Sequence, residues 1–126
     1  MLILNNNEEN WRELTVKLPY PVSYHGAQFL NNHLYIFGGV NTHKEKLSST
    51  YKLSRTLKWE KMADMNNKRS EISNSNVILN DKIWVLGGWD GQTYFKSIEM
   101  YNPVTNKWKY MGQVVLIIYE LRFTET

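Results

Sequence analysis

The sequence predicts an all-β protein made from two copies of a four-stranded antiparallel unit. An apolar run that ends in two glycines occurs twice, as LNNHLYIFGG at 30–39 and as LNDKIWVLGG at 79–88, 49 residues apart. Trp59 and Trp108 recur at the same spacing, and no segment places its apolar residues at a helical period. Repeats of about 50 residues with four short strands are typical of β-propeller blades. The sequence therefore predicts a partial propeller of four-stranded antiparallel blades.

The strands of each unit are separated by recognisable turn residues. Asn80 and Asp81 tolerate the positive φ angles of a type I′ hairpin turn, so they connect the first two strands of the second unit. Pro103 cannot extend a ladder of hydrogen bonds and begins the turn PVTN. The first unit follows the same plan with YHGAQFLN, HLYIFGG, LSSTYKLS and KWEKM. The strands of the second unit are predicted at 75–80, 82–88, 96–102 and 107–111.

An incomplete unit precedes these two. The segment WRELTVKLP resembles only a fourth strand, because Trp11 precedes Trp59 by 48 residues. The tail after the second unit contains VVLIIY, which is β-prone and uncharged, and a short array leaves faces uncovered at both ends. We therefore expect self-association through open blade edges. The predicted organisation is a leader with the last strand of a preceding blade at 1–19, repeats at 20–66 and 67–112, and a divergent tail at 113–126.

Structural roles are predicted for the glycine pairs and for the recurring aromatic residues. A residue without Cβ can adopt unusual φ and ψ angles and lets neighbouring backbone approach closely. Tyr and Trp side chains at fixed offsets are expected to fill the wedge between adjacent blades. The predicted structural residues are Gly38, Gly39, Tyr51, Trp59, Gly87, Gly88, Tyr101 and Trp108.

This recurring pattern resembles the kelch repeat, in which an apolar strand ending in Gly-Gly is followed by a Tyr and then by a Trp. The two copies carry it over about residues 20–112, and YNPVTNKW is similar to the usual end of the motif. The chain is thus identified as a short or truncated member of the family with about two repeats. Asparagine-rich patches such as NNNEEN suit an AT-rich genome, so a poxviral source is expected.

The resemblance implies a propeller that binds proteins. Many relatives are BTB-kelch proteins, which recruit substrates to cullin-type ubiquitin ligases, and others bind actin. Only ten residues precede Trp11, so we expect a fragment of such an adaptor without its BTB domain. An actin-associated structural protein and a non-functional remnant are the alternatives.

The resemblance also implies where a partner would bind. In kelch propellers the loop after Gly-Gly and the loop after the Trp strand lie at one end of the ring. The resemblance implies that a partner binds at this end. Many relatives place an Arg-Ser pair in the second kind of loop for acidic peptides. Two simpler interpretations stay open, since Trp89 could pack over its own blade and Arg69 could be a solvated charge. The residues implied are Asn41, His43, Lys44, Arg69, Ser70, Trp89, Asp90, Tyr94 and Phe95.

The residue types exclude several kinds of enzyme. The chain has no cysteine, so disulfides, thiolate zinc sites, cysteine catalysis and the copper chemistry of kelch-like oxidases with a cysteine-modified tyrosine are excluded. His25, His33 and His43 do not have the spacing of a metal site. No nucleophile–base motif or phosphate-binding loop is present. We expect a protein that is not an enzyme and needs no cofactor or metal.

Charge and hydropathy limit the partners and the location. The net charge is +3, and the segment from Lys44 to Arg69 carries eight basic and three acidic residues. This excess could attract nucleic acid, but no nucleic-acid-binding motif accompanies it, so we expect a protein partner. The apolar runs at both termini are too short for a signal peptide or a membrane span. A cytoplasmic protein that binds no membrane is expected.

Overall fold

The structure is a computed structural model that describes residues 2–4, 11–13 and 17–113. Every regular element in these ranges is a strand. In chain order the strands are β1 (Leu2–Leu4), β2 (Trp11–Glu13), β3 (Gly26–Leu30), β4 (His33–Phe37), β5 (Thr50–Leu53), β6 (Trp59–Lys61), β7 (Asn76–Leu79), β8 (Lys82–Leu86), β9 (Ser97–Asn102) and β10 (Lys107–Gln113).

The strands form two four-stranded antiparallel sheets, in the orders β3-β4-β5-β6 and β7-β8-β9-β10. We call them blade 1 and blade 2. The all-β prediction with four-stranded blades is confirmed. A third, two-stranded sheet pairs β1 with β2, so the leader contains a strand that the sequence did not predict. The boundaries of the repeats stay a prediction, and β10 extends to Gln113, one residue past the predicted end of the second repeat.

The sequence signals at the turns take the expected conformations. Asn80 and Asp81 have φ angles of 53° and 58°, as a type I′ hairpin requires. Gly39, two residues after the internal strand β4, has a φ of 99°, and a Cβ there would lie 2.7 Å from Ser23 O. Glycine is needed at this position both for its backbone angles and for the close approach of the neighbouring chain.

Aromatic side chains fill the space between the blades. Phe37 of β4 packs on Trp108 of β10, with ring centroids 5.8 Å apart. Tyr101 lies between Tyr35 and Trp108, at 5.7 and 5.0 Å. The Trp108 indole nitrogen donates to Thr50 Oγ1 across the junction at 3.0 Å. The structure therefore places Tyr101 and Trp108 in the core of the chain.

The strand register corrects one assignment, because Tyr51 is not the counterpart of Tyr101. Leu53 pairs with Trp59 as Tyr101 pairs with Trp108, so buried Leu53 takes the place of the repeat tyrosine. Tyr51 and Trp59 are only half-buried, on the opposite side of blade 1 from blade 2. There Trp59 donates to Lys17 O at 2.7 Å. These two residues thus face the segment before blade 1 and do not fill the wedge between the two blades.

A buried ion pair joins the linker between the blades to blade 2. Arg69 in the linker and Glu99 on β9 are both fully buried, and Nε of the arginine lies 2.9 Å from Oε2 of the glutamate. The remaining guanidinium contacts are to Gly87 O, Ser97 O and Ser97 Oγ, at 2.6 to 3.0 Å. The other carboxylate oxygen accepts from the backbone and side-chain nitrogens of Asn66. Both charges are therefore satisfied by hydrogen bonds, as burial requires.

Blade 1 fills the corresponding space with aromatic and apolar residues. A Cβ on Gly39 would meet Val22 and Ser23 just as one on Gly88 would meet Arg69 and Ser70, so Val22 takes the place of Arg69. The Glu99 position holds Tyr51, because Ile36 pairs with Tyr51 as Val85 pairs with Glu99. Tyr20 packs edge-on against Tyr51 at 5.4 Å. The two repeats thus share a backbone plan. They differ in the side chains that hold the preceding segment against each sheet.

One histidine nitrogen is buried without a hydrogen bond, in a side chain that is half-buried overall. His25 occupies in blade 1 the position of Ile72 in blade 2, and its Nδ1 has no hydrogen-bond partner among the described residues. Burial lowers the pKa of His25 below its usual 6.5, because the imidazolium would lose its hydration.

Replacing Trp108 by Ala should lower the free energy of unfolding by about 3–5 kcal/mol, because it empties a large site between the blades. Trp59→Ala is the matched control and should cost less, since Trp59 is only half-buried. Chemical denaturation of both variants and wild type measures the difference. An unchanged unfolding midpoint for Trp108→Ala would contradict the placement of this residue in the core.

Glu99→Gln should lower stability by about 3–5 kcal/mol, because it leaves the Arg69 guanidinium buried beside a neutral group. The double variant Arg69→Met with Glu99→Met should lose less than the sum of the two single Met substitutions, since no charge remains buried. Urea unfolding of the four proteins gives the coupling energy. Strict additivity would show that the two side chains do not depend on each other.

Acid should weaken the fold through His25. The unfolded state takes up a proton at the ordinary histidine pKa and the folded state at a lower one, so stability falls as the pH drops below about 6.5. Thermal melts at neutral and mildly acidic pH should show a larger loss for wild type than for His25→Leu. His43→Leu, at an exposed loop position, should behave as wild type. If His25→Leu lost as much stability in acid as wild type, His25 would not be the cause of the acid sensitivity.

Candidate functional site

The loops that follow the two glycine pairs lie at the same end of the blades. The strands β4 and β8 both run toward this end, where the loops 38–49 and 87–96 begin. The linker between the blades reaches it too, because Ser70 and Trp89 donate backbone amides to each other's carbonyl oxygens at 2.9 and 3.0 Å. Three irregular segments therefore meet at one end of the structure, as is common for binding surfaces on rigid scaffolds.

The loop of blade 1 is held by its own asparagine. The Oδ1 atom of Asn41 accepts from the backbone nitrogens of His43 and Glu45, at 2.9 and 3.0 Å. Lys44 at the tip has a φ of 63°. His43 and Lys44 are exposed, so this turn presents them to solvent on a fixed backbone. The side chain of Asn41 makes its hydrogen bonds inside its own loop. We therefore do not expect its amide to bind a partner.

The loop of blade 2 presents a pair of aromatic rings. Trp89 and Tyr94 lie with their ring centroids 4.3 Å apart and their planes tilted by 36°. Tyr94 is 70% exposed, whereas Trp89 is half-buried beneath it. Asp90 Oδ1 accepts from the backbone nitrogens of Gln92 and Thr93, which lowers the pKa of this carboxyl. The loop thus exposes one rigid aromatic face.

The two loops touch each other. A Cβ placed on Gly91 would lie 3.8 Å from Lys46 Cε, so the stem of this lysine runs along the second loop. Lys46 was not predicted from the sequence. It lies three residues after His43, in a loop that was already a candidate site, and this position was a signal. We define the loop surface as six side chains of the two loops, each exposed or half-buried: His43, Lys44, Lys46, Trp89, Asp90 and Tyr94.

Three predicted partner residues lie beneath the loop surface and not on it. Arg69 and Ser70 are fully buried, so neither the predicted contact with an acidic peptide nor a solvated charge describes Arg69. Arg69 forms an ion pair with Glu99, and the Ser70 hydroxyl donates to Trp89 O at 2.9 Å. Phe95 is half-buried, and its ring centroid lies 4.9 Å from the Arg69 guanidinium carbon. The structure therefore assigns these three residues to the support of the loop surface.

Other features of this end are small. Exposed Tyr24, with a φ of 56°, was also missed, since a lone tyrosine before a strand carries no signal. A shallow depression of about 210 Å³ is lined by Pro21, Val22, Ser23, Val40, Asn41 and Thr42. This volume is below the range of about 300–1,000 Å³ that is usual for small-molecule sites. Within 17–113 no group of acidic and histidine side chains has the geometry of a metal site.

Across the part of the chain that the structure describes, no helix has the length and apolarity to cross a membrane.

Comparison with known proteins identifies the family. The model of the KLHDC2/KLHL20/DRC7 Kelch-repeats domain matches residues 1–115. Spermatocyte protein spe-26 of Caenorhabditis elegans is 34% identical over 105 residues, which cover 78% of this chain and 18% of that protein. Kelch-like protein 33 of Homo sapiens is 36% identical over 104 residues, 79% of this chain and 19% of that protein. Beta-scruin of Limulus polyphemus is 28% identical over 122 residues, 90% of this chain and 13% of that protein.

The solved structure of YjhT has a TM-score of 0.71 and 18% identity, covering 89% of this chain and 43% of that one, and this likeness bears on the fold. The chain spans less than a fifth of each of the three relatives. The poxviral source stays a prediction. The repeated glycine pairs and buried Trp108 agree with the family match over residues 1–115, and the chain therefore belongs to the kelch-repeat family.

Proposed function

We propose that the chain binds a protein partner through the loop surface and acts in recognition, without catalysing a reaction. Its kelch-repeat relatives support a protein-interaction module. The observation that carries the choice of surface is the stacked pair of Trp89 and Tyr94, with Tyr94 70% exposed. Aromatic residues with few rotatable bonds supply much contact area at a small entropic cost, which is why they dominate interface energetics.

The partner segment is expected to combine an apolar anchor with acidic residues. The stem of Lys46 runs along the loop that carries the aromatic pair, and exposed Lys44 lies two residues before it in the blade 1 loop. Asp90 and Glu45 keep their negative charge in the same loops, but their carboxylates already accept hydrogen bonds there, so the two lysines are the charged groups left to bind a partner. The lysines would therefore steer an acidic segment toward the aromatic rings, an effect that weakens with salt.

The cellular role that we propose is the recruitment of substrates. As part of a longer protein of the BTB-kelch type, the loop surface would hold a substrate for a cullin-type ubiquitin ligase. The match to kelch-like protein 33 is consistent with this role, and an actin-associated structural protein is the alternative. A cytoplasmic location belongs to the same proposal.

Replacing both Trp89 and Tyr94 by Ala should abolish partner capture while the protein stays folded. The experiment uses immobilised chain and mass spectrometry of the proteins it retains, at low and moderate salt. Val104→Ala is the matched control, because Val104 is exposed in a turn at the opposite end of blade 2. A partner retained equally by wild type and the double variant would refute the assignment of the loop surface.

Lys44→Glu with Lys46→Glu separates the charged part of the surface from the aromatic part. This variant should slow association and remove most of the salt dependence of binding, because rim charges act mainly on the association rate. Co-sedimentation with filamentous actin tests the alternative role. Sedimentation of wild type and of the Trp89→Ala, Tyr94→Ala variant alike would favour an actin-associated protein and a different surface.

A further inference from the structure

The loop of blade 2 contains an aspartate that is followed by an exposed glycine. The Oδ1 atom of Asp90 accepts from the backbone nitrogens of Gln92 and Thr93, at 2.8 and 2.6 Å, so the carboxyl folds back over the backbone that follows it. Gly91 has a φ of 102° and no side chain that could shield its nitrogen. Between residues 17 and 113 no acceptor binds the Gly91 amide. A carboxyl carbon and an unbonded amide nitrogen therefore adjoin each other in an exposed loop.

Blade 1 builds the same turn with a different residue after it. The pairing of Ser23 with Val40 matches that of Ser70 with Trp89, so the next residue, Asn41, is the counterpart of Asp90. Its Oδ1 atom also accepts from two backbone nitrogens of its own loop. There the following residue is threonine, whose branched Cβ crowds the backbone. The nitrogen after Asp90 lacks this steric protection.

The other aspartates of the chain are placed differently. The sequence contains three, at Asp64, Asp81 and Asp90. The amide after Asp64 donates to a backbone carbonyl at 2.8 Å, and the residue after Asp81 begins β8 and pairs with β7. Neither is followed by glycine. Asp90 thus differs from both in the residue that follows it and in the freedom of the next amide.

We propose that Asp90 is a site of spontaneous isomerisation to isoaspartate in the folded chain. The Gly91 nitrogen attacks Cγ of the neutral carboxyl, the N–Cγ bond forms, and the carboxyl hydroxyl leaves as water with the amide proton. Water then adds to one carbonyl of the cyclic imide. Addition at the main-chain carbonyl breaks its bond to nitrogen, so the chain continues through Cγ, whereas addition at Cγ restores aspartate. Water is the only co-reactant.

The conversion should be slow at neutral pH and should alter the loop surface. The hydrogen bonds from the loop lower the pKa of the Asp90 carboxyl, so little of the neutral form that reacts is present. An isoaspartate lengthens the backbone by a methylene and moves the carboxylate, which removes the turn between Trp89 and Tyr94. The converted chain should therefore bind its partner less tightly, a consequence that rests on the proposed function. The isomerisation itself does not.

The test incubates the full chain at physiological temperature and pH and maps its tryptic peptides over time. Trypsin separates the three aspartates, and the peptide 83–96 contains Asp90 as its one acidic residue. The endoprotease Asp-N cuts before aspartate but not before isoaspartate, so the fraction of this peptide that resists cleavage measures the conversion. This fraction should rise with time, while the peptides with Asp64 and Asp81 should stay cleavable.

Two variants check the mechanism through a second readout, the methyl label that isoaspartyl methyltransferase transfers from S-adenosylmethionine. Asp90→Glu should lose the label, because its longer side chain cannot close the five-membered ring. Asp90→Asn keeps an Oδ1 acceptor and needs no neutral carboxyl, so it should gain the label faster than wild type.

Two results would overturn the proposal. In the first, the folded chain stays cleavable at Asp90 while the isolated peptide 83–96 converts, which would show that the fold protects this bond. In the second, all three aspartates convert equally, so that the structure of the loop makes no difference. Both are read without a partner, so failure of this inference is separable from failure of the proposed function.

Discussion

The buried pair of Arg69 and Glu99 is the constraint on which the arrangement of the chain depends. Arg69 belongs to the linker and Glu99 to a strand of blade 2, so the pair sets where the linker enters the second sheet. The guanidinium also contacts Gly87 O at the glycine turn, and its Phe95 contact lies below the aromatic loop. One residue thus connects the linker, the sheet and the loop surface, and a shift of its position would move all three.

The two blades show that the same backbone can be anchored by different chemistry. Where blade 2 has a charged pair, blade 1 has Val22 at the arginine position and Tyr51 at the glutamate position, with Tyr20 packed on the tyrosine. Both solutions leave the glycine pair and the following loop in place. The loop chemistry can therefore vary between blades without a change in the scaffold, since the loops hold themselves through Asn41 and Asp90.

The strands, hairpins and glycine turns could be predicted from the sequence because they depend on local preferences. Asn80 and Asp81 predict a hairpin turn, and the apolar run of β8 predicts an internal strand. The register of β5 could not be predicted from the sequence. Tyr51 and Leu53 both suit a strand, and only the pairing of β5 with β6 shows which of them is the counterpart of Tyr101. Arg69 was misplaced for a related reason: its partner is 30 residues away on another strand, and the spacing carries no sign of the contact.

The buried pair also limits how repeats of this kind can diverge. Loss of either charge alone leaves the other buried and unpaired, so a single-step intermediate between an ionic and an aromatic anchor is less stable than either end state. A gene segment that encodes a new blade must carry the linker with the arginine as well as the four strands. The heritable unit of this array therefore begins in the linker, near Ala63 and Asn66, whose backbone amides are bonded to blade 2.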